Sequence, residues 1–211
     1  MKLFNKITSV TVFALSLTLS ATATEPKLEI KIAESRISFT DIKDAKGDVK
    51  AVYEEITKAW GFVPIVLKQY SLNPKILRTQ WELYKELGNN KNFDPKMLTM
   101  MRMILGEAQE CEYCTGLNKG MLLNMFKVPM DDEVVALSKD ASSAKLDAKQ
   151  KAMLLFILKA TKTPHDVTDT EIKNLTKLGW SDKDIFEGIK SGTNVIAATT
   201  IIDVLKLQKD F

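Results

Sequence analysis

The chain is poor in the residues most metal and nucleophile sites are built from, with one histidine and two cysteines in 211 residues. A structural zinc site takes four ligands, drawn mostly from thiolates and imidazoles, so this inventory argues against one. Lysine and arginine total 30 against 27 acidic residues, and no basic run is long enough to follow a phosphate backbone. Nucleic acid is therefore not an expected partner. Beyond the N-terminus there is no second long apolar run, no low-complexity linker and no clear internal repeat. Those absences point to one domain that does not span a membrane.

What is present begins with an export signal. Lys2 and Lys6 give a basic start, Ile7 to Leu19 carries no charge, and Ala21-Thr22-Ala23 supplies a small-x-small cleavage pattern. The uncharged run, about 13 residues against the ~20 that span a bilayer, is too short for a permanent anchor. The expected organisation is a signal peptide over 1–23, an N-terminal arm over 24–48 and a helical domain over 49–211. Cleavage near Ala23 removes two of the lysines behind the net charge of +3 and leaves a nearly balanced chain. The simplest address is a bacterial periplasm, an oxidising compartment.

Leu28, Ile30, Ile32, Ile37 and Phe39 partly alternate with charges, which predicts an extended arm or a short strand over Glu25–Thr40. The rest reads as helix. Val52, Tyr53, Ile56 and Trp60 share one face, with Gly61 as a stop, and Pro64 opens a short apolar helix. Asn73-Pro74 and Asp94-Pro95 start two more. Asp131–Ser138 predicts a short helix, and Asp147–Lys162 is apolar on nearly all sides, as a central core helix is. Thr168 to Glu171 forms a capping box. Ser181 caps a helix through Lys190, and a further helix is expected over Thr193–Leu207. Two helical halves, 49–126 and 131–207, are expected to share a core, and the fold class is all-α.

The chemistry concentrates in Cys111-Glu112-Tyr113-Cys114, which spends the entire cysteine complement on one C-x-x-C pair at the predicted start of a helix. A helix N-terminus carries partial positive charge and free N–H groups, and both favour thiolate over thiol. The i to i+3 spacing puts both sulfurs on one turn, so one can attack and the other resolve. In an oxidising compartment an exposed pair of this kind rests as a disulfide.

Asp94–Phe126, with Glu-Cys-Glu-Tyr-Cys-Thr-Gly-Leu, resembles the alkylhydroperoxidase D-like branch of the carboxymuconolactone decarboxylase family. The resemblance extends upstream through Gly61-Phe62-Val63-Pro64 and Asn73-Pro74. Downstream it takes in Pro164-His165-Asp166-Val167-Thr168-Asp169 and Gly179-Trp180-Ser181-Asp182, covering roughly Val49 to Leu207. It implies an all-helical fold, a trimeric or hexameric homo-oligomer, and a thiol-dependent peroxidase or disulfide oxidoreductase in antioxidant defence. The expected substrate is a peroxide or a disulfide, an unidentified thiol supplies electrons, and no cofactor or metal is expected. The family's redox pattern is Glu, eleven residues, Cys-x-x-Cys, three residues, His. Cys111 and Cys114 match it as the catalytic pair, with Cys114 attacking and Cys111 resolving. The glutamate position falls on Thr99 and the histidine position on Asn118, so both proton-relay groups are replaced. That departure leaves a second expectation: a binding or structural member of the same fold with a fixed Cys111–Cys114 disulfide.

Without a base, a cysteine near its ordinary pKa of ~8.5 is only a few per cent thiolate at neutral pH. Asn118 can donate a hydrogen bond to a thiolate at Cys114 but cannot take its proton. Glu107 and Glu110 are carboxylates near the pair that can substitute as bases or simply sit at a solvated helix end, and acids there also raise a thiol pKa. Tyr113, between the cysteines, can hydrogen-bond a peroxide or wall the pocket, and Asn194 is a polar residue in a very apolar segment, facing either a pocket or an interface. His165 reads as a turn residue. Met97, Met100, Met101 and Met103 read as core packing rather than as soft copper(I) ligands.

Overall fold

The computed structural model describes residues 35–207, all helix, turn and connection. The signal peptide and the arm up to residue 34 lie outside them. Capping groups set the helix starts. Asn73 Oδ1 accepts the amides of Lys75 and Ile76 at the start of α3 (Pro74–Asn89), which follows α1 (Gly47–Trp60) and α2 (Ile65–Lys68). Asp94 caps α4 (Pro95–Ala108) in the same way, with proline at the first turn where its missing N–H costs nothing. Gly61 ends α1 at φ 85°, a conformation that only glycine takes freely.

After α4 the chain turns through three residues, Gln109, Glu110 and Cys111, into α5 (Glu112–Asn124). A π-helical turn over Met130–Val134 runs straight into α6 (Val135–Lys139), so the short helix expected over Asp131–Ser138 is present, its first turn wound more widely than an α-helix. The core helix is α7 (Ala148–Lys162), capped by Asp147, and the Thr168–Glu171 capping box opens α8 (Asp169–Lys177). The last helix is one rod, α9 (Asp182–Leu205), 24 residues long. It does not break near Ser191-Gly192, because Gly192 is there for contact. A Cβ at that position would lie 2.6 Å from Thr161 Cγ2 and 2.7 Å from Ile157 Cγ2, so α9 can cross α7 only over a glycine.

The core divides differently from the expected halves. One large cluster joins α4 to α9, with Met97, Met101, Leu105, Leu122, Met153 and Leu154 essentially sealed from water. Each such side chain contributes about 1.5–3 kcal/mol of burial free energy. A separate smaller cluster joins α1, α2 and α3 around Tyr53, Ile56, Leu77 and Trp81. The division therefore falls before α4, where Phe93 already stacks on Trp180 in the larger cluster.

Residues 35–40 form no strand. The Arg36 amide donates to Leu205 O at 2.9 Å, at the end of a helix, so no strand partner stands beside it. Among the described residues no helix is long and apolar enough to cross a membrane.

Candidate redox site

The site is built on the crossing of α4 and α5. Gly106 makes it possible: a Cβ there would meet Cys114 Cβ at 2.9 Å and Thr115 N at 3.0 Å. With hydrogen in its place, α5 starts directly against the last turn of α4. Glu110 takes φ 56° in the connecting turn, and the Cys111 amide returns to Gly106 O at 2.9 Å. Cys111 is thereby placed as the N-cap of α5, where its Sγ accepts the Cys114 amide at 3.3 Å. The predicted helix entrance is real, and Cys111 and Cys114 form a disulfide across its first turn, with Cα atoms 5.4 Å apart.

The pair sits in an apolar nest. Ile65 from α2, Tyr113, and Ile202 and Leu207 from the end of the chain surround it, with Phe39 and Leu205 packed alongside. Arg36 fastens this cover, donating from Nη1 to Val204 O at 2.8 Å. Cys111 is fully buried, while Cys114 retains 7% exposure, making it the more reachable of the two. Two surface clefts, one along α3 and one beside Asn90 and Asp184, are not lined by either cysteine.

One turn further along both helices lies the group that sequence reasoning missed. Arg102 donates from Nε to Asn118 Oδ1 at 2.9 Å and from Nη2 to Thr99 Oγ1 at 2.8 Å. Thr99 and Asn118 are buried, and Asn118 Nδ2 donates to Cys114 O at 2.8 Å. The two positions where a glutamate and a histidine are expected are thus bridged by one guanidinium. Burial pushes Arg102 down to about 10, opposed by the charge of nearby Tyr84, so it stays cationic at neutral pH. Among the described residues no carboxylate pairs with it within 4.0 Å.

Tyr84 extends the network. Burial raises its phenol, while Arg102 and hydrogen bonds with Asn194 and Gln80 pull the other way. Gln80 Nε2 donates to Asn194 Oδ1 at 3.0 Å, so the odd polar residue of α9 faces α3 inside the chain. A signal for Arg102 existed: it is the only charge between Lys96 and Glu107, set in an otherwise apolar stretch of helix.

The other candidates are dispersed. Glu107 Oε1 accepts from Ser138 Oγ at 2.8 Å, and Glu110 is exposed in its turn. Tyr113 is buried beside the pair. His165 is exposed between α7 and α8, and the four methionines lie in the large core. No group of three or more metal-ligating side chains occurs among the described residues.

The all-helical fold is the alkylhydroperoxidase D-like one, as the solved structures that superpose on it show. An uncharacterized peroxidase-related protein from Ralstonia eutropha JMP134, with an alkylhydroperoxidase AhpD core, superposes at TM-score 0.71 and 20% identity, over 83% of this chain and 92% of its own. A peroxidase-related protein from Silicibacter sp. TM1040 gives TM-score 0.70 at 21% identity, over 85% and 94%. The debrominase Bmp8 gives 0.64 at 17%, over 82% and 90%, and a Cys→Ala variant of it is known in complex with 2,3,4-tribromopyrrole. At such identities the likeness establishes the fold. No protein-family profile and no curated protein matches the chain.

Proposed function

We propose that this chain is an exported dithiol–disulfide redox protein of antioxidant defence, cycling Cys111 and Cys114 and resting as the disulfide. The observation that carries the reading is the pair itself. It is the whole cysteine complement, closed across the N-terminus of α5 on a scaffold shared with peroxidase-related proteins. Helix N-terminal stabilisation of an anion, ~0.3–1 kcal/mol and up to ~2 when partly buried, favours a Cys111 thiolate. Greater exposure makes Cys114 the sulfur that meets a substrate, either a peroxide or a partner disulfide, with a thiol reductant closing the cycle. The leader-like residues 1–23 support export, with the periplasm as the proposed compartment, and assembly into a homo-oligomer is part of the reading.

A scaffold neighbour named for debromination is a reminder that a fold does not fix a reaction. A second reading, a fixed disulfide in a binding or structural protein, is favoured by one observation: Thr99 and Asn118 hold no proton-shuttling group beside the sulfurs.

A redox titration separates the two. An exchangeable pair titrates above about −300 mV, and a structural bridge below it. The redox reading further expects reduced protein to reoxidise to the intramolecular disulfide, with the step lost in Cys114→Ser. A bridge that stays closed at all accessible potentials overturns it.

A further inference from the structure

Arg102 is costly to leave without a carboxylate, and its place is not incidental. On α4 it lies one turn before Gly106, and on α5 Asn118 lies one turn after Cys114. Gly106 abuts Cys114 and Arg102 holds Asn118, so the two helices run antiparallel with these pairs in step. The guanidinium is thus held one helical turn along α5 from Cys114, through its bond to Asn118. The bond to Oδ1 also fixes the Asn118 amide. Its donor end, Nδ2, bonds the Cys114 backbone carbonyl one turn earlier on α5.

We infer that Arg102 is a positioning residue that replaces the proton relay with a fixed positive charge, committing the pair to exchange with partner dithiols and disulfides rather than to reduction of hydroperoxides. The inference rests on the redox reading given above. In exchange, a partner thiolate attacks Cys114 Sγ and the S–S bond breaks. Its electron pair stays on Cys111 Sγ, facing the helix amides. The partner's second thiolate then attacks the mixed disulfide at the partner's own sulfur. Cys114 leaves as a thiolate beside Arg102, and the partner departs as a disulfide. Two electrons have passed to the pair, and no proton had to be delivered at either step.

Peroxide reduction makes a different demand. A thiolate attacking the O–O bond expels hydroxide or alkoxide, which needs a proton in the transition state. A guanidinium does not give one up near neutral pH, and neither Thr99 nor Asn118 relays one. Among the described residues, Glu107 is engaged by Ser138, Glu110 is exposed, and α2 and the end of α9 present Ile65, Ile202 and Leu207.

The test isolates the Cys114 thiol in a Cys111→Ser background and follows its alkylation by iodoacetamide against pH. The midpoint should lie about one unit below the ordinary ~8.5 and return by about a unit, a tenfold loss of thiolate, in Arg102→Met. Asn118→Asp keeps Arg102 but neutralises it, and should raise the midpoint similarly even where Arg102→Met fails to fold. In the native pair, exchange with dithiothreitol should outpace oxidation by hydrogen peroxide. Unchanged midpoints in folded variants, or faster reaction with peroxide, overturn this inference alone. A wild-type disulfide that dithiothreitol cannot open overturns the redox reading and this inference with it.

Discussion

Adding a single methyl group at Gly106 tests the physical basis of the site. In Gly106→Ala the new Cβ would lie 2.9 Å from Cys114 Cβ, 3.0 Å from Thr115 N and 3.2 Å from Cys114 C. Two of those atoms are backbone in the first turn of α5 and cannot rotate away, so the helices must separate by several tenths of an ångström. Overpacking of this kind costs about 1–3 kcal/mol. Alanine returns about 1 kcal/mol of helix propensity, leaving a net loss of up to about 2 kcal/mol. For a chain of this size that lowers Tm by up to roughly 8 °C. Gly120, in the middle of α5, is the internal control, since a Cβ there meets nothing within 4 Å. Gly120→Ala should stabilise by about 0.5–1 kcal/mol. Thermal and urea unfolding of the oxidised proteins measure both. The reasoning fails if the two variants shift stability in the same direction.

Two further outcomes follow from named contacts. Burial of the Asp184 carboxyl opposes ionisation, but Asn90, Asn92 and the side chain and backbone of Ser181 outweigh it and hold the group well below the usual carboxylate range. Its contribution is therefore complete above the unfolded value of ~3.9 and is lost as pH falls towards the folded one. Asp184→Asn should cost about 2–3 kcal/mol at neutral pH, and urea melts should show the gap narrowing at about pH 3; a gap that widens there contradicts the assignment. Arg36→Ala removes one bond to Val204 and should quicken alkylation of reduced Cys114, with a stability loss of no more than about 1.5 kcal/mol. Equal alkylation rates would mean that Arg36 does not hold the cover in place.

The fold was legible wherever local chemistry is decisive. Asn73, Asp94, Asp147, Thr168 and Ser181 each cap the helix their sequence announces, because capping needs only neighbours in the chain. Gly192 misled for the opposite reason. Its role is set by Thr161 and Ile157, some thirty residues away, and read alone it looks like a break. In the site the distances in sequence are shorter. Arg102 lies in the same segment as the cysteine pair and the replaced relay positions, three residues after Thr99, but only the crossing of α4 and α5 joins it to Asn118. Among the polar residues, Asn194 kept two readings until Gln80 and Tyr84 appeared opposite it.

The bond between Arg36 and the last turn of α9 has a practical meaning for handling this protein. Residues far apart in the chain are stitched together directly over the sulfurs, and Leu207 is itself part of their wall. A substitution at Leu207 therefore alters the wall of the cysteine pair itself, and a change in measured thiol reactivity would report the altered wall as much as the sulfurs. The exposed turn at His165 is not part of that wall, and a label inserted there leaves the cover untouched.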